Sequence, residues 1–309
     1  MATLTHDRKT ARTGAGVALA LVSATSFGLS GPLGRGLMDA GWSAAAAVAV
    51  RVLLGGAVLV PLAVVQLRGR WSVLRRYLPL VVVFGAVPVA GCQLAYFTAV
   101  QHIPVGVALL IEYTAPLAVV AWLWLRHHQR PSRLTAVGAA IGVVGLLLVV
   151  DPAGGGSDLV GIGAALLAMV GAAFFFVLSS RPLDGLPGTA LAAGGLLVGG
   201  ILLLLAGAVG IVPLTASAAP VAYAGFTVVW WVPVLLLGAV TAALGYGSGI
   251  GATRRLGARL ASFVMLFEVL ATLLFGWVLL AQAPGPVQLL GGIAIVAGVV
   301  VVRRAEPAQ

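Results

Sequence analysis

Long apolar runs alternate with short polar and basic segments along the whole chain. A bilayer core about 30 Å thick requires about 20 apolar residues per helix, with a lower limit of about 17. Ten runs meet this requirement, over residues 15–34, 42–66, 77–100, 104–125, 134–150, 159–179, 189–212, 230–252, 258–281 and 286–302. The pattern predicts an all-α integral membrane protein with ten transmembrane helices.

Basic residues divide unevenly between the connecting segments on the two sides. With a cytoplasmic N-terminus, sixteen lie on the cytoplasmic side, namely Arg8, Lys9, Arg12, Arg68, Arg70, Arg75, Arg76, Arg126, Arg130, Arg133, Arg181, Arg254, Arg255, Arg259, Arg303 and Arg304. The opposite side carries Arg35 alone. Cytoplasmic loops are enriched in arginine and lysine. We therefore predict a multi-pass protein of the cytoplasmic (inner) cell membrane with both termini in the cytoplasm.

Composition excludes several classes of protein. Charged residues make up 8% of the chain, too few for a water-soluble surface, which carries about 25%. The net charge of +10 lies in clusters between apolar runs, which does not suggest nucleic-acid binding. The single cysteine, Cys92, and four scattered histidines predict no disulfide, metal site or cofactor.

Gly138 with Gly142, and Gly195 with Gly199, are spaced for close helix contacts, and we expect a monomer or a weak homodimer.

The chain repeats itself at half its length. At an offset of 153 residues, residues 99–150 match residues 252–303 at 11 of 52 positions. The matches include Trp124 with Trp277, Gln129 with Gln282, Pro131 with Pro284, Gly138 with Gly291 and Gly145 with Gly298. Each unit holds five predicted helices, and an odd number requires the second unit to be inverted.

The predicted segments are a cytoplasmic tail over 1–13, repeats over 14–152 and 153–302, and a second tail over 303–309. Inverted repeats are a feature of secondary transporters, although some channels also contain them.

Short motifs in the third and fourth spans identify a family. They are Ala95-Tyr96, Ala99-Val100-Gln101-His102-Ile103-Pro104, Ala108-Leu109-Leu110 and Glu112-Tyr113-Thr114-Ala115-Pro116-Leu117. A second copy runs from Ala252 through Ala261-Ser262 to Phe267-Glu268, and Arg51 lies in Val50-Arg51-Val52-Leu53. Nearly the whole chain thus resembles EamA-like proteins of the drug/metabolite transporter (DMT) superfamily, and the Glu-x-x-x-Pro motif is most similar to the threonine/homoserine exporter branch. The resemblance implies a 5+5 inverted repeat and export or exchange of small metabolites. Glu268 is followed by Val269 where many members have proline, so a helix break there is in doubt.

Arg51, Glu112 and Glu268 are the charged residues that lie well inside predicted spans. A charge at the centre of a membrane helix costs about 2.5–3.5 kcal/mol, so such residues usually face a cavity or a partner. Counted from the helix ends, Arg51 and Glu112 lie about 12–14 Å deep, and Gln93 falls at a similar level. They form either a substrate site, in which Arg51 attracts a carboxylate, or a structural ion pair between Arg51 and Glu112.

Glu112 and Glu268 are candidate proton carriers, because a low-dielectric cavity favours the neutral form of a carboxyl group. The alternative is a carboxyl group that is permanently paired or permanently protonated. Aromatic and hydroxyl side chains are further candidates for the cavity lining, although each also suits helix packing. They are Phe27, Tyr96, Tyr113, Tyr246 and Ser248.

Enzyme motifs are absent from the sequence. Tyr246-Gly247-Ser248-Gly249 lacks the first glycine of an intramembrane serine protease motif, and no predicted span contains a histidine that would act as the base. There is no phosphate-binding loop, so transport would use a gradient or exchange. We predict a secondary transporter that moves small polar metabolites, amino acids first, by alternating access, with protons as the candidate coupling ion. The alternatives are efflux of amphipathic or cationic compounds and an uncoupled, channel-like facilitator.

Overall fold

The computed structural model describes residues 2–115, 132–150, 158–179, 183–249, 251–252, 255–256, 264 and 266–305. Side chains before residue 14 are not described. Several sequence predictions lie outside the described residues. These are residues 116–125 of the fourth span, most of residues 258–265 of the ninth span, Pro116, Trp124, Gln129, Pro131 and the side chains of Arg8, Lys9, Arg12, Arg126, Arg130, Arg181, Arg254, Arg259 and Arg303.

The described chain is almost entirely helical. Its first half comprises α1 (Ala2–Gly28), α2 (Ser30–Asp39), α3 (Ala44–Leu67), α4 (Trp71–Arg76), α5 (Leu78–Phe84), the π-helical segment π1 (Gly85–Gly91), α6 (Cys92–His102), α7 (Val105–Glu112) and α8 (Arg133–Val150). The second half comprises α9 (Leu159–Ser179), α10 (Gly188–Ala208), strands β1 (Val221–Tyr223) and β2 (Phe226–Val228), α11 (Trp231–Leu235), the π-helical segment π2 (Leu236–Leu244), α12 (Phe267–Leu280) and α13 (Pro286–Ala305).

Within the described ranges, five helices have the length and composition to cross a membrane. They are Gly14–Asp39, Ala44–Leu67, Leu78–His102, Gly188–Ala208 and Trp231–Gly249. Four shorter apolar helices cover Arg133–Val149, Leu159–Phe175, Phe267–Leu280 and Pro286–Val302. The all-α membrane class is therefore supported. The count of ten spans and the cytoplasmic position of both termini stay predictions.

The two halves interlock through equivalent pairs of helices. The second helices of the repeats, α3 and α10, pack on each other. In addition, α1 packs on α12 and π2, and its counterpart α9 packs on α7 and π1. Likewise α3 contacts π2, while α10 contacts π1. The contacts with the π segments thus recur with the halves exchanged, and α7 and α12 lie in corresponding predicted spans, as a pseudo-twofold relation between two similar units requires.

A glycine interface joins α8 to α13. A Cβ atom at Gly138 would lie 2.9 Å from the carbonyl oxygen of Gly298, and one at Gly145 would lie 2.7 Å from that of Gly291. Because early residues of α8 meet late residues of α13, the helices are antiparallel. The offset of 153 exchanges these two contacts, so sequence matches and spatial contacts obey one symmetry. Gly138 and Gly142 therefore have an intramolecular partner, while the oligomeric state stays a prediction.

Two π-helical segments occupy matching positions in the halves. At the offset of 153, π1 (Gly85–Gly91) corresponds to residues 238–244, which lie inside π2 (Leu236–Leu244). Wide π turns interrupt the regular α-helical register and are frequent at functional sites. Gly85 and Gly238 let these turns approach neighbours closely: a Cβ at Gly85 would lie 2.8 Å from the carbonyl oxygen of Gly195.

The segment between α10 and α11 holds a β-hairpin that the sequence analysis did not predict. β1 pairs antiparallel with β2, with Val221 opposite Val228. The hydroxyl group of Tyr223 donates to the carbonyl oxygen of Leu33 at 3.3 Å, and the amide of Ala224 donates to the carbonyl of Leu279 at 2.8 Å. The hairpin therefore covers one end of the helices α2 and α12.

The two repeats are also joined at the start of α9. The carboxylate of Asp158 accepts hydrogen bonds from the amides of Val160 and Gly161. Its other oxygen lies 2.7 Å from Nδ1 of His102 at the end of α6. The bond with His102 is the main reason that the pKa of Asp158 lies below its ordinary value.

We expect Asp158→Ala to lower the melting temperature by a few degrees at neutral pH, because it removes both the cap and the contact with His102. A carboxyl group with a depressed folded-state pKa stabilises above its unfolded pKa and loses this contribution as pH falls through the folded value. The difference in melting temperature between wild type and variant should therefore shrink with acidification. A difference that is constant down to acid pH would contradict this role.

Candidate functional site

Charged and polar side chains from both halves meet among the membrane helices. Arg51 lies on α3, Gln93 and Tyr96 on α6, Glu112 at the last residue of α7, and Glu268 in the first turn of α12. Arg51 is within electrostatic range of Glu112 and Glu268. The sequence prediction of one polar layer therefore corresponds to a cluster in space, which we call the polar cluster: Arg51, Gln93, Tyr96, Glu112, Tyr113, Thr241, Tyr246 and Glu268.

Arg51 is the most fully enclosed charged residue of the described chain, with 2% of its surface exposed. Its Nε donates to the hydroxyl oxygen of Thr241 at 3.0 Å, and its Nη1 donates to the side-chain oxygen of Gln93. The guanidinium carbon lies 5.7 Å from the ring centre of Phe97, within range of a cation–π interaction. Neutral partners thus fix the position of the charge without neutralising it.

The predicted pairing of Arg51 with Glu112 is not a direct ion pair in the described structure. The ion pairs between described side chains are Arg35 with Asp39 and His102 with Asp158. The described hydrogen bonds of the Arg51 guanidinium group go to Gln93 and Thr241 instead. The electrostatic relation between Arg51 and Glu112 is therefore longer-ranged than a contact.

Glu112 has a sulfur neighbour. The thiol of Cys92 lies 3.7 Å from Oε1 of Glu112 and donates to the carbonyl oxygen of Ala168 at 3.3 Å. A thiol is a weak donor, so among the described contacts this one compensates little for the partial burial of Glu112.

Glu268 has a stronger partner. Its Oε2 accepts a hydrogen bond from the hydroxyl group of Tyr113 at 2.8 Å. Glu112 and Tyr113 are adjacent in sequence. The end of α7 therefore contributes one acidic residue and also the hydrogen-bond donor to the other acidic residue, Glu268. The two carboxyl groups also lie within electrostatic range of each other.

Aromatic residues extend the polar cluster on the side of α1. Tyr246 lies close to Gln93, and its ring meets that of Phe27 edge-on with 5.1 Å between centres. Tyr96 is buried beside Phe97. Phe27, Tyr96, Tyr113 and Tyr246 are therefore brought together with the charged residues.

Ser248 does not join the cluster through its hydroxyl group. That group donates to the carbonyl oxygens of Leu244 and Gly245 in its own helix, at 2.6 and 3.3 Å. In membrane helices a serine hydroxyl often satisfies itself in this way. The prediction that Ser248 lines the cavity thus has no support from its hydrogen bonds.

Sequence reasoning missed Thr241, Phe97 and the role of Cys92. Thr241 interrupts the apolar residues of π2, and a polar residue in such a run was the available signal. Its hydroxyl group also donates to the carbonyl oxygen of Leu237 at 2.7 Å, so it accepts from Arg51 while it remains satisfied itself. The sequence contains no signal that connects Thr241 with Arg51, because 190 residues separate them.

Comparison with known proteins gives a family and a fold. The sequence profile of the EamA-like transporter family matches residues 14–151 and again residues 159–304. A solved structure titled "Crystal structure of protein" is similar over 95% of this chain and 97% of its own, with 22% identity and a TM-score of 0.61. At that identity the likeness concerns the fold alone. No curated protein matches the chain significantly.

Proposed function

Because this chain belongs to the EamA-like transporter family of the drug/metabolite transporter superfamily, we propose that it is a secondary transporter that exports or exchanges small polar metabolites by alternating access. Amino acids and their analogues are the first substrate class. The threonine/homoserine exporter branch, suggested by the Glu112-x-x-x-Pro116 motif, belongs to the same proposal.

The observation that carries the substrate class is the clustering of one buried guanidinium group with two half-buried carboxyl groups. Arginine has five N–H donors, and the described bonds of Arg51 occupy one on Nε and one on Nη1. The remaining donors suit a substrate carboxylate. Glu112 and Glu268 suit a substrate ammonium group. A zwitterion brings both charges and so compensates the cost of holding three ionisable groups within the membrane.

Proton coupling follows if substrate and proton compete for the same carboxyl group. Glu112, with a weak thiol partner, is the better candidate, because Glu268 is held by Tyr113. A protonated Glu112 would release an ammonium group, and a deprotonated one would bind it. The two events are then mutually exclusive, which is the requirement for antiport.

The interlocked halves support alternating access. Each half contributes a π segment next to the polar cluster, and each π segment packs on the second helix of the other half. Exchange of conformations between two similar units opens the site to one side and then to the other. Arg51 on α3 donates to Gln93 on α6 and to Thr241 on π2, so elements of both halves meet at this residue.

A second candidate is efflux of amphipathic or cationic compounds. The edge-on contact of the Phe27 and Tyr246 rings and the excess of one carboxyl group over the guanidinium group in the polar cluster favour it. Aromatic rings bind organic cations through cation–π interactions. The uncoupled facilitator has no specific observation in its favour and is an outcome of the experiment.

Transport in proteoliposomes tests the proposal. We expect uptake of a labelled neutral amino acid that saturates with concentration and rises when a proton gradient is imposed, whereas a lipophilic cation moves more slowly. Preferential movement of the cation would support the second candidate. Flux that neither saturates nor responds to the gradient would indicate a facilitator and remove Glu112 and Glu268 as proton carriers.

A further inference from the structure

An apolar groove lies away from the polar cluster, between α7, α12 and α13. Its volume is about 610 Å³, which is within the range of small-molecule sites. Among the described residues that line it, none is charged. Gly106, Gly276 and Gly292 belong to its wall, and an added Cβ at each of them would lie within 3.2 Å of a neighbouring side chain, so close helix packing shapes the wall.

The groove opens toward the region that lipid occupies. Leu270 and Ile293 line it and are 61% and 67% exposed. In a membrane-spanning bundle, exposed leucine and isoleucine side chains contact acyl chains, because water is absent from the bilayer core. Whatever fills the groove therefore enters from the hydrocarbon of the membrane.

One end of the groove is polar. α12 ends at Leu280, Ala281 adopts a left-handed conformation with φ of 55°, and Gln282 follows. The side-chain oxygen of Gln282 accepts from the amide of Val105 at 3.0 Å, and that of Gln288 accepts from the amide of Gly285 at 3.1 Å. Their amide nitrogens have no hydrogen-bond partner within the described part of the chain, so both are donors at the helix-end level, where lipid headgroups begin.

The groove is apolar along its length and has neutral hydrogen-bond donors at its interfacial end. This combination fits one class of ligand. We propose that the groove binds a phospholipid, with one acyl chain along α12 and α13 and its ester or phosphate oxygens accepting from Gln282 and Gln288. The wall includes Leu110 and Val269, which are close in sequence to Glu112 and Glu268. The bound chain therefore packs against the two helices that carry the acids of the polar cluster.

Photocrosslinking tests this site. The full-length protein is reconstituted with phosphatidylcholine that carries a diazirine in one acyl chain, irradiated, and mapped by mass spectrometry. We expect adducts concentrated in residues 286–297, above the level on the exposed face of α10 at Ile201 and Leu205. Equal labelling of the two regions would overturn the proposal, since it would show ordinary lipid contact.

Variants of matched size separate the groove from the general surface. Ala297 lines the groove, whereas Ala140 is exposed on α8 and does not. Filling the groove removes the burial of several methylene groups, so Ala297→Trp should lower the adduct yield about tenfold and Ala140→Trp should leave it unchanged. If Ala297→Trp fails to fold, Ala297→Leu serves instead. Equal yields in the filling variant and the control would contradict the proposal.

The headgroup contact has its own test. Gln288→Met keeps the length of the side chain without its amide and should lower the yield about threefold to tenfold. An unchanged yield would remove the amide from the site. Displacement of the lipid by a lipophilic cation at substrate concentrations would overturn the proposal in favour of a substrate site.

Discussion

Replacing Glu112 with glutamine should reduce gradient-driven transport about tenfold to a hundredfold, because a hydrogen bond to a charged group contributes about 1.5–3 kcal/mol. Glutamine keeps the shape of the side chain and an acceptor oxygen near the thiol of Cys92, which lies 3.7 Å from Oε1. The change removes the titratable proton and the negative charge, so fold and coupling are separated.

The measurement compares initial rates in proteoliposomes with and without a proton gradient, together with the melting temperature of each purified variant. Asp184→Asn is the matched control, since Asp184 is an exposed acid in the turn before α10. We expect the control to behave as wild type. Normal gradient-driven transport by Glu112→Gln would remove this residue from the coupling mechanism.

Replacing Gly145 with leucine should prevent stable assembly of the two halves. A Cβ atom at this position would lie 2.7 Å from both the carbonyl oxygen of Gly291 and the amide nitrogen of Ile295. Both atoms belong to the backbone of α13, so they cannot move aside as a flexible side chain would. Overpacking in a well-packed core typically costs about 1–3 kcal/mol, and a backbone clash places this variant at or above the upper end.

The yield of monodisperse protein in detergent and its melting temperature measure this effect. Gly163→Leu is the control, because Gly163 lies on the exposed face of α9 with no atom within 4 Å of an added Cβ. Leucine should be tolerated there and should even improve helix propensity. If Gly145→Leu and Gly163→Leu melted alike, close contact of α8 and α13 would not be needed for stability.

The sequence alone predicts an all-α membrane protein because the bilayer restricts which backbone structures can lie within it. Without water in the hydrocarbon core, every backbone polar group must be satisfied within the segment, so long apolar runs form helices. The predicted second and seventh spans, 42–66 and 189–212, accordingly agree with α3 (Ala44–Leu67) and α10 (Gly188–Ala208) to within a few residues.

The sequence predicts the heights of the site residues along their helices, but not the directions in which their side chains point. Counting residues along helices gave similar heights for Arg51, Gln93 and Glu112, and the structure brings all three into one cluster. Height does not give rotation about the helix axis. For that reason the sequence proposed Glu112 as the partner of Arg51, whereas the described hydrogen bonds go to Gln93 and Thr241.

The sequence by itself determined the apolar helices, the repeat with its glycine matches and the small set of ionisable residues among the membrane helices. Each of these follows from the types of residue and their spacing along the chain. Only the tertiary structure decided which residues meet: Gly138 with Gly298, Arg51 with Thr241, and Tyr113 with Glu268. These contacts depend on the rotation of each helix about its axis and on how the two halves interlock, and both are properties of packing between distant segments.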